Sequence, residues 1–105
     1  MVEVKVNPGI CGLCSTIRCD SDDMQEVTVD FKTDCPNLKP LEQELKEVDG
    51  YDICFAKFGD GEICELAHKY CKHAACPVPA ALIKGVEVAC GLALPKDADI
   101  KIEKK

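Results

Sequence analysis

Glu26-Val27-Thr28-Val29-Asp30-Phe31-Lys32 alternates polar and apolar side chains without a break. That period of two marks a strand with one face in a core and the other in water. Asp20-Ser21-Asp22-Asp23, just before it, is a polar turn. Ser15 to Cys19 on the far side of that turn reads as a second strand, so residues 13–19 and 26–32 form a hairpin with Cys19 on its inward face. Val2, Val4 and Val6 alternate with Glu3 and Lys5 as a further strand, and Asn7-Pro8-Gly9 turns the chain after it. Near the other end, Ala98 to Glu103 alternates Ile100 and Ile102 with charges and reads as a last, edge-type strand.

The middle of the chain carries the longer apolar period. Leu38, Leu41, Leu45 and Val48 recur at helical spacing after Asp34-Cys35-Pro36-Asn37, with Pro40 confined to a first turn and Gly50 as a stop. Residues 51–58 fit either an irregular strand or a loop. A second helix is expected from Glu62 to about His73 on an Ile63, Leu66, Ala67, Tyr70 stripe. A third is expected from about Val78 to Cys90, stopped by Gly91. The expected fold is therefore α+β: one domain over residues 1–105, with a single small sheet, antiparallel or mixed, made of an N-terminal hairpin plus the C-terminal strand. About three helices would cover one face of it.

Composition narrows the function. A hydrophobic content of 47% in 105 residues suits one globular domain with an aliphatic core, since Trp is absent. The net charge of -6, with lysines interspersed among acids, opposes a nucleic-acid surface. No apolar run approaches the roughly 20 residues of a membrane span, and the alternating N-terminus is unlike a signal peptide. There is no G-x-S-x-G elbow, Gly-rich phosphate loop or H-E-x-x-H, which opposes a hydrolase of the familiar kinds.

Nine cysteines are the outlying feature. Their odd number and the self-sufficient aliphatic pattern favour a reducing cytoplasm over a secreted disulfide framework; an intracellular disulfide protein of a hot environment stays open. Cys11 precedes Gly12 after a Pro-Gly turn, and Cys35 and Cys76 each precede proline at an expected helix start. Helix starts offer N–H donors and a positive dipole end, which favour thiolate over thiol. If Cys11, Cys35 and Cys76 converge, they make a three-thiolate metal site that His73 or Cys14 could complete, and soft thiolates select zinc or an iron–sulfur cluster. Cys64, His68 and Cys71 share a helix face that could bind metal or join Cys76. Cys11-Gly12-Leu13-Cys14 is a C-x-x-C without a second knuckle. Cys19, Cys54 and Cys90 sit in apolar contexts and are expected to pack as small hydrophobes.

Cys76-Pro77-Val78-Pro79 resembles the C-P-x-P motif of TusA-like sulfur carriers, which implies a helix opened by a persulfide-bearing Cys76 and followed by a strand. Taken over Val6 to Gly12, Asp34-Cys35-Pro36 and His73 to Pro95, the chain resembles a small family of uncharacterised cysteine-containing proteins of anaerobic archaea and bacteria; that resemblance implies no activity. Three functions stay open. One is a zinc or iron–sulfur binding protein, one a sulfur carrier or thiol-redox protein using Cys76, and one a structural module with buried or disulfide-bonded cysteines. A protein partner in sulfur or metal transfer would suit the first two, and the odd thiol count leaves a homodimer bridge open.

Overall fold

The computed structural model describes residues 1–105. Strands β1 (Val2–Val6), β2 (Ser15–Asp20), β3 (Glu26–Thr33) and β4 (Glu47–Asp49) form one sheet in the order β1-β2-β3-β4, each pair antiparallel. Helices α1 (Leu41–Glu44), α2 (Gly50–Cys54), α3 (Glu62–Tyr70) and α4 (Val78–Ala89) complete it.

The alternation read from the sequence sets the register. Ile17 pairs with Phe31 and Cys19 with Val29, so buried faces buried across the hairpin. Arg18 lies opposite Asp30 on the solvent face. A shift of one residue would put Phe31 in water and Lys32 in the core, so burial itself pins the pairing. The central core holds Ile17, Phe31, Leu38, Leu41, Leu45, Ile63, Leu82 and Val86, all at most 2% exposed. α4 lies across β1 and β2 at close range. A Cβ placed on its Gly85 would stand 3.1 Å from the Cys19 Sγ and 3.2 Å from the Val4 Cγ2.

Three expectations are corrected. The single helix over residues 38–48 is a helix of four residues followed by a strand. Pro40 removes an N–H donor at the start, and Leu45 (φ -112°, ψ 85°) leaves helical geometry. The chain then extends because β3 has a free edge: the Val29 N–H donates to the Lys46 carbonyl at 2.8 Å, and Val48 pairs with Val27. The spacing of Leu45 and Val48 suits a helix, but it also buries both residues at the entry to a strand.

Gly50 opens a helix instead of ending one. The Asp49 side chain caps α2, accepting from the Tyr51 N–H at 3.0 Å and the Asp52 N–H at 3.3 Å. α2 thus stands where an irregular strand or loop was expected, and it brings the helices to four. Finally, the C-terminal strand is absent. No residue after Gly91 belongs to a helix or strand, and Ile100 and Ile102 are exposed. α4 does end as expected, with Gly91 at φ +71° just past its Cys90 cap.

Candidate thiol site

The site is built at the sheet end where β2 begins and β3 finishes. The Asp34 N–H donates to the Cys14 carbonyl at 2.9 Å, which sets Cys14 and Cys35 on neighbouring chain segments. Beneath them Ser15 Oγ donates to Thr33 Oγ1 at 2.8 Å, and that hydroxyl oxygen accepts the Cys35 N–H at 3.0 Å. These bonds give two buried polar side chains their partners and fix the exit of β3 towards Cys35. Glu42 closes the arrangement from α1, accepting the Thr33 N–H at 3.0 Å. That donor, helped by Lys39, holds its carboxyl below the usual range.

Cys76 approaches from the other side. α3 stops at Tyr70, short of the expected His73, because Cys71 turns extended (ψ 126°) after bonding back to Ala67. The chain then curls around one acceptor. The His73 carbonyl takes the Cys71 thiol at 3.5 Å and the Cys76 N–H at 3.2 Å. Cys71 and Cys76 are thereby drawn together at the start of α4, with Cys35 near enough for its charge to be felt at Cys76. His73 contributes its backbone to this curl, and its side chain is exposed.

Burial is the largest influence on the Cys76 thiol and pushes it up. The Val78 N–H at the helix start pulls it down, but hydrogen bonding and charge from Cys71, then the charge of Cys35, push it up again, and the net shift is upward. The expectation that the helix start makes Cys76 a ready thiolate is corrected accordingly: desolvation and neighbouring thiols outweigh the one N–H donor.

The remaining candidates are placed apart from this pair. Cys11 and Cys14 are exposed, and the Cys14 thiol donates to the Gly12 carbonyl at 3.7 Å. Of the expected trio, Cys11 is exposed in its loop, and Cys35 is linked to Cys76 only through a minor influence of its charge; the thiol beside Cys76 is that of Cys71. Cys64 is half-buried on α3 and His68 is exposed. No three or more His, Cys, Asp or Glu side chains stand in an arrangement that could hold a metal ion. The pairing of Cys71 with Cys76 follows from the curl at His73, which the spacing of the two cysteines does not disclose.

A second thiol group lies in the core, as expected for Cys19 and Cys90. Both are buried, and the charge of Cys90 reaches Cys19 and the half-buried Cys54. Burial, with Cys90 in second place, raises the Cys19 thiol from the ordinary 9.0 to about 11, and burial likewise raises Cys54 to about 11. A raised acid keeps its proton longer when folded. The stabilising contribution is therefore complete below pH 9.0 and is lost as pH climbs towards about 11. Urea midpoints measured from pH 8 upward are expected to fall across that window, and Cys19→Ala should flatten the fall.

The fold is that of a small α+β protein with nine free cysteines, among them Cys71 and Cys76 at the start of α4 and the buried Cys19 and Cys90. The chain belongs to the family of unknown function DUF6951, whose model matches residues 2–102. No curated protein and no solved structure matches it. No helix is long and apolar enough to cross a membrane.

Proposed function

We propose that the protein is a dithiol reductant working through Cys71 and Cys76. The observation that carries this reading is the curl in which one carbonyl, that of His73, holds both residues so that their sulfurs are neighbours. The co-reactant is a disulfide of a partner protein or a small thiol. Cys76 loses its proton and its sulfur attacks one partner sulfur; the partner S–S bond breaks and the departing thiolate takes a proton. Cys71, losing its own proton, then attacks the Cys76 sulfur. The mixed disulfide breaks, a Cys71–Cys76 disulfide forms, and the second partner thiol leaves protonated. Two electrons pass to the partner. The raised Cys76 thiol fits the direction of transfer: a thiol whose anion is poorly stabilised loses little by oxidation, which makes the pair reducing.

The test is to expose reduced protein to oxidised glutathione, trap free thiols and map the products. A Cys71–Cys76 bridge is expected as the main product, and Cys71→Ser should stop the reaction with glutathione on Cys76. A main bridge at Cys11–Cys14, or no bridge at Cys76, would refute the reading.

The nearness of Cys35 favours a second reading, in which Cys35, Cys71 and Cys76 hold zinc or part of an iron–sulfur cluster after a modest rearrangement. Cys14, on the segment paired with Asp34, or Cys11 and His73 from the flanking loops would supply the further ligands. Titrating reduced protein with zinc and repeating it with Cys35→Ser separates the two. The metal reading needs stoichiometric binding that depends on Cys35, whereas the dithiol reaction does not need Cys35.

A further inference from the structure

We propose that Cys54 and Cys90 form a second disulfide site, one that clasps the end of α2 to the end of α4 when the protein meets a small-molecule disulfide such as oxidised glutathione. This site is separate from Cys71 and Cys76 and does not depend on their chemistry.

Gly50 makes room for it. In α2, Gly50 and Ile53 are buried and Cys54 packs half-buried against the core. Positions i, i+3 and i+4 share one helix face, so these three look inward together. The Cys90 sulfur fills the space that a side chain at residue 50 would take, because a Cβ there would overlap it. Cys54 is one turn further along the same face, with its Cβ about 5–6 Å from that space. A helical side chain leans back towards the N-terminus, which carries the Cys54 sulfur towards Gly50 and so towards Cys90. α4 agrees from its own side. The charges felt at Cys54 are those of Cys90 and Glu87, which lie three residues apart and hence on one face of α4. The bridge closes by turning the two side chains towards each other.

Access and position select Cys54, and not Cys19, as the partner of Cys90. Exchange starts at a sulfur that the incoming disulfide can reach. Cys54 is half-buried, whereas Cys19 is 0% and Cys90 3% exposed. Cys19 also meets α4 elsewhere. Its Sγ lies 3.1 Å from a Cβ placed on Gly85, five residues before Cys90, which is about 7.5 Å back along the helix and about 140° round it.

The step balances with the small disulfide as oxidant. Cys54 loses its proton and its sulfur attacks one sulfur of the small disulfide, whose S–S bond breaks; the departing thiolate takes a proton. Cys90, losing its own proton, attacks the Cys54 sulfur. The mixed disulfide breaks, the Cys54–Cys90 bond forms, and the second small thiol leaves protonated. Two electrons pass to the small disulfide. The bridge closes a loop that contains α3, the curl at His73 and the whole of α4. Closing such a loop removes freedom from the unfolded chain, so the oxidised protein is the more stable form.

The test takes the full chain carrying Cys71→Ser and Cys76→Ser, so that the first pair plays no part. It is reduced, incubated with excess oxidised glutathione, alkylated and mapped by mass spectrometry. A Cys54–Cys90 bridge is expected, with a thermal midpoint roughly 10–20 °C above that of the reduced sample and restored to it by reductant. The same mapping on the wild-type chain needs no variant to fold and should give this bridge beside that of Cys71 and Cys76. Cys90→Ala, with every other thiol in place, should keep glutathione on Cys54 and show no such rise. The proposal is overturned by a Cys54 that stays free or keeps glutathione while Cys90 is present. A Cys19–Cys90 bridge, or a bridged protein no more stable than the reduced one, would overturn it too.

Discussion

Phe31→Ala is expected to destabilise the protein by about 3–5 kcal/mol, the range for removing a buried aromatic side chain. Phe31 is 1% exposed, pairs with Ile17 across the hairpin and is among the largest fully buried side chains of the core. No neighbour of similar size is free to fill the space, and a domain of this size has about 5–15 kcal/mol of stability in total. The loss should appear as a fall in the urea midpoint at unchanged slope. Lys32→Ala, one residue on and facing water, should change stability by no more than about 0.5 kcal/mol. Equal effects at the two positions would mean that the register described here is wrong. The same strand leads into Thr33 and Cys35, so Phe31→Ala should also loosen the thiol site, seen as faster alkylation of Cys35 in the folded protein.

Gly50→Ala should also be destabilising, by a smaller amount and for the opposite reason. Alanine is the better residue inside a helix, by roughly 0.5–1 kcal/mol, so propensity alone predicts a gain at the first position of α2. The space forbids it. A Cβ there would overlap the Cys90 Sγ and would lie 3.0 Å from the Gln25 carbonyl oxygen and 3.3 Å from the Val27 Cγ2. The sulfur can swing only within a packed core, and the carbonyl is fixed by its own bond from the Gly50 N–H. Overpacking of this kind costs about 1–3 kcal/mol. Calorimetry of Gly50→Ala, Cys90→Ala and the double variant gives the coupling directly. In the Cys90→Ala background, Gly50→Ala should cost at most about half as much. A stabilised Gly50→Ala would show that α2 does not sit against α4 as described.

Both sites also show what was legible in the sequence. Strands β1 to β3 were, because seven residues of unbroken alternation at Glu26–Lys32 admit one face only. α4 was, because Pro77 and Gly91 bracket its apolar run. β4 was not: a three-residue strand with one buried side chain, Val48, has no period of its own, and its apolar spacing from Leu45 mimics a helix. The capping of α2 was written in Asp49-Gly50-Tyr51-Asp52, but glycine after a helical stripe reads more readily as a stop. The tail is the reverse case. Its alternation is a strand's, yet strand pattern states only what a segment can do once an edge is offered.

At the site, the placing of Cys76 at the entry to α4 could be anticipated from its Cys-Pro sequence. The raised Cys76 thiol could not, since the helix start argues for the opposite and burial, with the neighbouring thiols, reverses it. The partner thiol was also hidden, because Cys71 belongs to the face of α3 until the chain bends at its end.

α4 rests on the sheet at Gly85 and carries Cys76 just ahead of its first turn, about 13 Å away at the rise of an α-helix. It is a rigid beam bedded along Val78, Leu82 and Val86 as well, with a sulfur at its tip. A side chain that props the beam at Gly85 tilts it, and a small lift over Cys19 and Val4 becomes a lateral displacement of Cys76 relative to Cys35. The spacing of the sulfurs at one end of the molecule is geared to how flatly the helix lies at its middle.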